Sequence, residues 1–245
     1  MYHFFVTPAQ IADGYAVITG QDVNHIRNVL RMKAGEQVGI RDGISRSYVC
    51  ELENIGGEEI RARILEEDTN LSELPAELYL FQGLPKSDKM ELIIQKAVEL
   101  GVYEIIPVRT NRVIVKLDEK KEAKKIARWQ QIAEGGAKQS GRGRIPEVKP
   151  VMALSEALTY AKNLEGVLIP YEKAEGIGKT REIIGGLKGK KSVGIFIGPE
   201  GGFEEEEVAM AVEAGAEPVT LGKRILRTET AGLAMLAALG FWMEE

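Results

Sequence analysis

Two glycine-containing segments, each directly after a short apolar run, constrain the fold of this chain most. The run Ser192–Ile197 precedes Gly198–Phe203, and the run Pro218–Leu221 precedes Gly222–Ala231. Short runs rich in Val, Ile and Phe and bounded by Gly or Pro are typical of buried parallel strands. Residues 204–214 between them are predicted to be helical. Since ligands of open α/β sheets bind at the carboxyl ends of strands, we expect both segments to lie at a ligand site.

The first segment is not typical of a phosphate site. It lacks the Lys-Ser/Thr pair of a P-loop and the G-x-G-x-x-G spacing of dinucleotide-binding loops. The carboxylate of Glu200 would also repel a phosphate, so the loop favours a neutral or cationic ligand. An ordinary turn, with glycines at positive φ and a solvated Glu200, explains this loop alone equally well.

Composition indicates a globular protein without disulfides or a metal centre. Of 245 residues, 44% are hydrophobic and 28% charged, which is usual for soluble domains. Cys50 is the single cysteine, and the only histidines are His3 and His25, so a metal site is not expected. The sequence contains no membrane-length apolar run and does not start with a signal peptide, so we expect a cytoplasmic protein.

The charge is distributed unevenly along the chain. The net charge is −5, but residues 73–149 carry 15 Lys and Arg against 11 Asp and Glu. Phosphate binding responds to local potential more than to total charge, so the acidic total does not exclude RNA. A solvated helix face with ion pairs is the alternative interpretation of this basic region.

Periodicity divides the chain into two parts. Residues 1–72 contain four clear short strands, at 16–19, 37–40, 47–52 and 59–65, and one helix at 22–30 with Asp22 as its N-cap, a pattern that predicts a small β-barrel. From Glu77 onward, strands alternate with helices, which predicts an α/β fold with a parallel sheet covered on both faces.

The two C-terminal segments together resemble one known family. Gly198–Phe203 reads GPEGGF and residues 221–231 read LGKRILRTETA. Both are similar to motifs of the RsmE family, the 16S ribosomal RNA uracil-N3 methyltransferases. Three further stretches, His25–Gly35, Ile94–Val102 and Gln139–Pro146, agree with this resemblance.

The resemblance implies a fold and an assembly. It implies that residues 76–245 form a SPOUT-class α/β domain with a C-terminal trefoil knot, and that residues 1–72 form a PUA-like RNA-binding β-barrel. It also implies a homodimer formed with the help of the last helix, Thr228–Met243. Because that segment is apolar almost all round, an ordinary core helix is the alternative.

The resemblance further implies S-adenosylmethionine as the cofactor, held by three loops. Carried onto this chain, its contacts are Ile169, Pro170, Gly198, Gly202, Leu221, Gly222, Ile225, Leu226 and Thr228. Backbone groups of the third loop would pair with the adenine edge while its apolar side chains enclose the ring.

Methyl transfer to uracil N3 requires alignment of the reacting atoms, loss of the N3 proton and stabilisation of charge on the flanking carbonyl oxygens. Arg227 follows the third loop, and an arginine stays protonated, so we predict that it stabilises that charge. Glu200 is the second catalytic candidate, either to take the proton or to orient groups. Glu229 is its rival, although an acid in the first turn of a helix is favoured without any catalytic function. The sequence therefore does not identify the group that removes the N3 proton.

Four arginines are the candidates for RNA contact. Arg27 and Arg31 are spaced to share one helix face, and Arg142 and Arg144 lie on a glycine-containing turn. The simpler explanation for Arg27 and Arg31 is that cations near the C-terminal end of a helix are favoured by its dipole. For Arg142 and Arg144 it is an ordinary exposed connection. The implied partner is 16S ribosomal RNA or the small ribosomal subunit.

Three other functions remain open from the sequence. One is an RNA-binding protein that keeps the fold without catalysis. Another is a knotted methyltransferase acting on a different RNA position. The third is a nucleotide-binding α/β enzyme unrelated to RNA.

Overall fold

The computed structural model describes residues 1–68, 72–113, 119–174 and 176–244. These form two compact units. The N-terminal unit comprises Met1–Glu73 together with Ala137–Ile145, and the C-terminal unit comprises Leu74–Gly136 and Pro146–Glu245. The structure differs from the boundaries predicted from the sequence in residues 137–145, which lie with the N-terminal unit.

Specific polar contacts hold residues 137–145 in the N-terminal unit. The ammonium of Lys138 lies 3.2 Å from a carboxylate oxygen of Asp22. The Ser72 hydroxyl donates to the Gly141 carbonyl at 2.5 Å, and the guanidinium of Arg142 pairs with Glu73. Sequence periodicity does not register such contacts, because each joins residues far apart in the chain.

The N-terminal unit is built on a six-stranded sheet in the order β1-β4-β5-β6-β3-β2. Its strands are β1 His3–Phe5, β2 Ile11–Ala12, β3 Tyr15–Thr19, β4 Gln37–Arg41, β5 Ser47–Ile55 and β6 Glu59–Asp68. The β1–β4 pair is parallel and the others are antiparallel. All four predicted strands are therefore confirmed. Alternate residues of these strands turn inward, as the sequence alternation indicates, and pack in one core.

The predicted helix of this unit is present, but both of its ends differ from the prediction. Helix α1 is Gln21–Asn24 and continues as a π-helical turn, His25–Val29. Asp22 lies inside the helix and caps nothing. The helix ends at Arg31, whose φ of +54° is left-handed, and the amide of Met32 donates back to the Ile26 carbonyl at 3.0 Å.

The C-terminal unit contains a seven-stranded sheet in which every strand pair is parallel. Its strands are β7 Glu77–Gly83, β8 Val102–Arg109, β9 Glu147–Val148, β10 Met152–Ala153, β11 Gly166–Pro170, β12 Ser192–Ile197 and β13 Glu217–Val219. The order is β10-β8-β7-β12-β11-β13, with β9 also pairing β8. Since all run the same way, their carboxyl ends share one edge.

Among the described residues, the helices after β7 lie in the connections between strands and at the C-terminus. They are α2 Lys89–Glu99, α3 Glu119–Ser140, α4 Leu154–Ala161, α5 Ile177–Gly185, α6 Glu205–Glu213 and α7 Thr228–Met243. None of the helices that the structure describes is long and apolar enough to cross a membrane.

The centre of the sheet is a dry aromatic and aliphatic core. Phe81 of β7 and Phe196 of β12 are fully buried and stack face to face, with ring centroids 4.3 Å apart. Both central strands are buried at every position after their first residue because both sheet faces are covered. This core fixes where the strands end, and therefore where the loops at the carboxyl edge begin.

Candidate active site at the carboxyl edge of the sheet

The structure brings the three predicted cofactor loops to neighbouring strand ends. β11 pairs in parallel with both β12 and β13, so Ile169 and Pro170 lie between the two glycine-containing segments. The amide of Tyr171 donates to the Val219 carbonyl at 2.9 Å, which joins the first and third loops. Sequence order alone does not predict this neighbourhood, because β11 lies between two strands that follow it in the chain.

The loop after β12 turns sharply, and two of its glycines occupy positions where a side chain would be strained. The Gly202 amide donates to the Pro199 carbonyl at 2.9 Å, and Gly202 has a φ of +68°. A Cβ on Gly198 would lie 3.0 Å from the Cα and carbonyl carbon of Gly202. Backbone thus approaches backbone, so both positions favour glycine.

The loop after β13 is anchored at its base and open along its length. The Thr220 amide donates to the Thr180 hydroxyl at 2.9 Å. Gly222 has a φ of +100°, and a Cβ there would meet nothing within 4 Å. Among the described residues, no hydrogen bond occupies the backbone amides of residues 223–226. Ile225 is 89% exposed.

This open backbone fits an adenine-containing cofactor. A purine edge needs backbone donors and acceptors that the protein does not already use, and residues 223–226 provide them. An apolar side chain as exposed as Ile225 offers a surface for the ring. The predicted contacts of Leu221, Gly222, Ile225 and Leu226 stay predictions, and their placement suits them.

Thr228 links α7 to two other parts of the site. Its side chain is buried, and its hydroxyl donates to the Gly198 carbonyl at 2.6 Å and accepts from the Gln82 amide at 2.9 Å. It is also the first residue of α7, which has Arg227 as its N-cap. Through its hydroxyl, Thr228 ties α7 to β7 and to the loop after β12. Its predicted contact with the cofactor stays a prediction.

Glu200 is held by several donors. The backbone amide of Lys86 lies 3.1 and 3.3 Å from its two carboxylate oxygens, and the Lys89 ammonium lies 3.1 Å away. Partial burial raises the pKa of Glu200, but hydrogen bonds from its own amide, from Lys89 and from the Lys86 amide outweigh this and lower its pKa below the ordinary value. A carboxylate stabilised in this way is a weak base, so the geometry favours an orienting function for Glu200.

Arg227 is exposed at the start of α7. Its backbone carbonyl accepts hydrogen bonds from the amides of Thr230 and Ala231, which fixes the backbone at this position. Among the described residues, no ion pair or hydrogen bond holds its guanidinium. A rigid backbone with a side chain available to a ligand is the arrangement expected of a substrate-contacting arginine.

Sequence reasoning missed Asn111 and Arg112. The Asn111 amide donates at 2.8 Å to Glu207, a carboxylate that is 1% exposed, and its side chain donates to Glu204 at 2.8 Å. Arg112 donates to the Gly201 carbonyl at 2.6 Å. These bonds tie the loop after β8 to the loop after β12. The available signal was the pair of polar residues two and three positions after the end of β8.

The predicted RNA contacts divide into two groups. Arg27 and Arg31 are exposed, although the Arg27 guanidinium also donates to the Gly57 carbonyl at 3.4 Å. Arg144 is half-buried, and its amide donates to Glu73 at 3.2 Å. Arg142 is 3% exposed, with its guanidinium 2.5 Å from Glu73. The alternative of an ordinary exposed connection therefore does not describe Arg142, because its guanidinium is buried against a carboxylate. Its predicted RNA contact stays a prediction.

We expect Arg142→Ala to destabilise the protein. Removing one partner of a largely buried ion pair leaves the other charge uncompensated, which costs about 2 kcal/mol once the partial exposure of Glu73 is considered. The change should appear as a lower midpoint of urea unfolding. Arg27→Ala, at an exposed position, is the control and should leave the midpoint unchanged. Equal midpoints for both variants and the wild type would contradict a structural function of Arg142.

Within the described part of the chain, no group of three or more His, Cys, Asp or Glu side chains is arranged to hold a metal ion. Burial raises the pKa of the Cys50 thiol to about 12, which makes it a poor nucleophile and metal ligand at neutral pH.

Comparison with known proteins assigns both parts of the chain. An RNA methyltransferase domain family matches residues 72–240, and an RNA methyltransferase PUA domain family matches residues 18–65. Ribosomal RNA small subunit methyltransferase E of Bacillus subtilis is 37% identical over 99% of this chain and 96% of its own. The Mesomycoplasma hyopneumoniae protein of the same name is 34% identical over 96% of this chain and 97% of its own.

Solved structures agree. The crystal structure of a ribosomal RNA small subunit methyltransferase E from Neisseria gonorrhoeae bound to S-adenosyl methionine is 34% identical, with a TM-score of 0.84 over 99% of this chain and 98% of its own. The predicted fold class, a SPOUT-type α/β domain with an N-terminal PUA-like domain, is confirmed. The chain therefore belongs to the RsmE family of RNA methyltransferases.

Proposed function

We propose that this protein methylates N3 of a uridine in 16S ribosomal RNA, with S-adenosylmethionine as the methyl donor. The observation that carries this proposal is the convergence of three loops at one sheet edge. Among the described residues, no hydrogen bond occupies the backbone amides of residues 223–226. The loop after β12 carries the carboxylate of Glu200, which would repel a phosphate and suits a cationic ligand. Family membership supports the cofactor and the RNA substrate. The uridine N3 target rests on the motifs GPEGGF and LGKRILRTETA.

Each loop has a task in this proposal. The cofactor, when bound, supplies an electrophilic methyl group. The backbone of residues 221–226 holds its purine, with Ile169, Pro170, Gly198 and Gly202 around it. The guanidinium of Arg227 stabilises the negative charge that spreads onto the uracil carbonyl oxygens as N3 loses its proton. Glu200, fixed by Lys86 and Lys89, orients the loop after β12 and does not take the proton.

RNA binding is proposed for the exposed arginines. Residues 1–72 would act as the RNA-binding domain through Arg27 and Arg31, and residues 76–245 as the methyltransferase domain. Arg144, which belongs to the same compact unit as Arg27 and Arg31, is the further candidate for RNA contact. Cations of this kind contribute affinity through phosphate contacts and make it salt-dependent. Because the proposed substrate is ribosomal RNA, free or in the small subunit, we place the protein in the cytoplasm.

A homodimer is also proposed. Seven of the 16 residues of α7 are buried, yet Phe241 is 81% exposed and Trp242 38% exposed at its end. Large exposed apolar side chains next to one another on a helix often mark an interface. A second copy of this chain is the proposed occupant.

An in vitro transfer assay tests the proposed activity. The purified protein, S-adenosylmethionine and small subunits that lack the modification should yield 3-methyluridine in digests of 16S RNA analysed by mass spectrometry. Naked 16S RNA in a parallel reaction identifies the preferred substrate. Methylation of ribose or of a purine would contradict the assignment to N3.

A non-catalytic RNA-binding protein of the same fold is the second candidate. It is distinguished by calorimetric titration with S-adenosylmethionine. Micromolar binding is expected from the proposal, while absence of heat together with retained RNA binding would favour the non-catalytic protein.

A further inference from the structure

Lys89 joins three pieces of the candidate site. It is the first residue of α2, and its ammonium lies 3.1 Å from Glu200 and 3.3 Å from Glu229. Glu200 belongs to the loop after β12, and Glu229 to the first turn of α7. All three side chains are between 21% and 31% exposed, so water screens them only partly.

We propose that Lys89 is a positioning residue for methyl transfer. Its single ammonium pairs with Glu200 in the loop after β12 and with Glu229 in α7, and so fixes the position of that loop relative to the start of α7 beside Arg227. The inference rests on the proposed function. Arg227 directly precedes α7, only two residues before Glu229. Anything that fixes Glu229 against Glu200 therefore also fixes where Arg227 stands relative to the loop that holds the cofactor.

The electrostatics of this cluster have a testable consequence. Without Lys89, two carboxylates would face one another without a shared cation. Like charges at close range raise the pKa of one member of such a pair. Glu200 would keep the amide of Lys86, whereas Oε2 of Glu229, which is buried and accepts no hydrogen bond from the described residues, would lose its cation.

Other charged groups belong to the elements around Lys89. Asp88 directly precedes Lys89 in the chain and lines a small cavity together with Lys125 of α3. Arg227 lies at the start of α7. The C-terminal unit contains no histidine, because both histidines of the chain, His3 and His25, are in the N-terminal unit. A pH dependence of cofactor binding that appears only in a Lys89 variant would therefore not come from a histidine of this unit.

The first test is Lys89→Met, with Lys96→Met as the matched control. Lys96 lies on the same helix and pairs with Glu99 at 2.8 Å, away from the site. At pH 8, K89M should weaken S-adenosylmethionine binding about fivefold, the loss expected for a partly exposed ion-pair cluster. The loss should shrink as the pH falls, because protonating one of the two carboxylates removes their repulsion. K96M should follow the wild type throughout.

The second test removes the repulsion. Lys89→Met combined with Glu229→Gln should restore cofactor affinity to within about twofold of the wild type and abolish the pH dependence. A double variant as weak as K89M, with K89M itself independent of pH, would overturn the proposal. So would a K89M variant whose only defect is weaker RNA binding with a smaller salt dependence, because Lys89 would then be a phosphate contact. Failure of the wild type to bind the cofactor would instead contradict the proposed function.

Discussion

Arg227→Ala is expected to lower kcat about a hundredfold while S-adenosylmethionine affinity stays within about threefold of the wild type. Removing one preorganised donor that faces developing negative charge commonly costs this much in rate. The backbone of Arg227 anchors α7 through Thr230 and Ala231, which alanine would preserve. The loss should therefore fall on the chemical step and leave cofactor binding largely intact.

Single-turnover kinetics and calorimetric titration measure the two quantities separately. Arg181→Ala is a suitable control, since Arg181 is an exposed arginine on α5 of the same unit. If R227A instead lost cofactor binding and kept kcat at saturation, Arg227 would be a cofactor ligand and the assigned function would be wrong.

Gly198→Ala is expected to raise the cofactor Kd roughly a hundredfold. The added Cβ would lie 3.0 Å from two backbone atoms of Gly202 and 3.2 Å from the Phe203 amide nitrogen. Backbone cannot move aside as the end of a flexible side chain can, so the loop must open, at a cost of about 1–3 kcal/mol. That loop also carries Glu200 and its contacts with Lys86 and Lys89.

Gly178→Ala is the matched control for this change. Gly178 lies in α5, and a Cβ there would meet nothing within 4 Å. Alanine in a helix is favoured over glycine, so G178A should be neutral or slightly stabilising. Calorimetric titration gives the affinities, and thermal melting shows whether each variant is folded. A folded G198A variant that binds the cofactor as well as G178A does would show that this loop does not shape the pocket.

The strands could be predicted because each carries its own signal. Residues 193–197 and 78–81 are short apolar runs, which two-sided burial in a parallel sheet favours. The two-residue strands β2, β9 and β10 were missed, since two residues cannot display a period. The neighbourhood of the three cofactor loops depends on strand order, which no local pattern contains.

The side chains that fix the site were the hardest to predict. Glu200 was found through its position after a strand, but its donors come from Lys86 and Lys89, more than 100 residues earlier in the chain. An arginine in a glycine-containing turn is expected to be exposed, but Arg142 is buried because Glu73 provides a carboxylate for its guanidinium. In each case the deciding partner is distant in sequence, so a local pattern could identify the residue but not its function.

The most direct test of the central claim is modification mapping of 16S ribosomal RNA from cells that lack this protein. The account predicts that one 3-methyluridine disappears and returns when the wild-type chain is supplied, but not when Arg227→Ala is supplied. A uridine methylation pattern that is identical with and without the protein would contradict it.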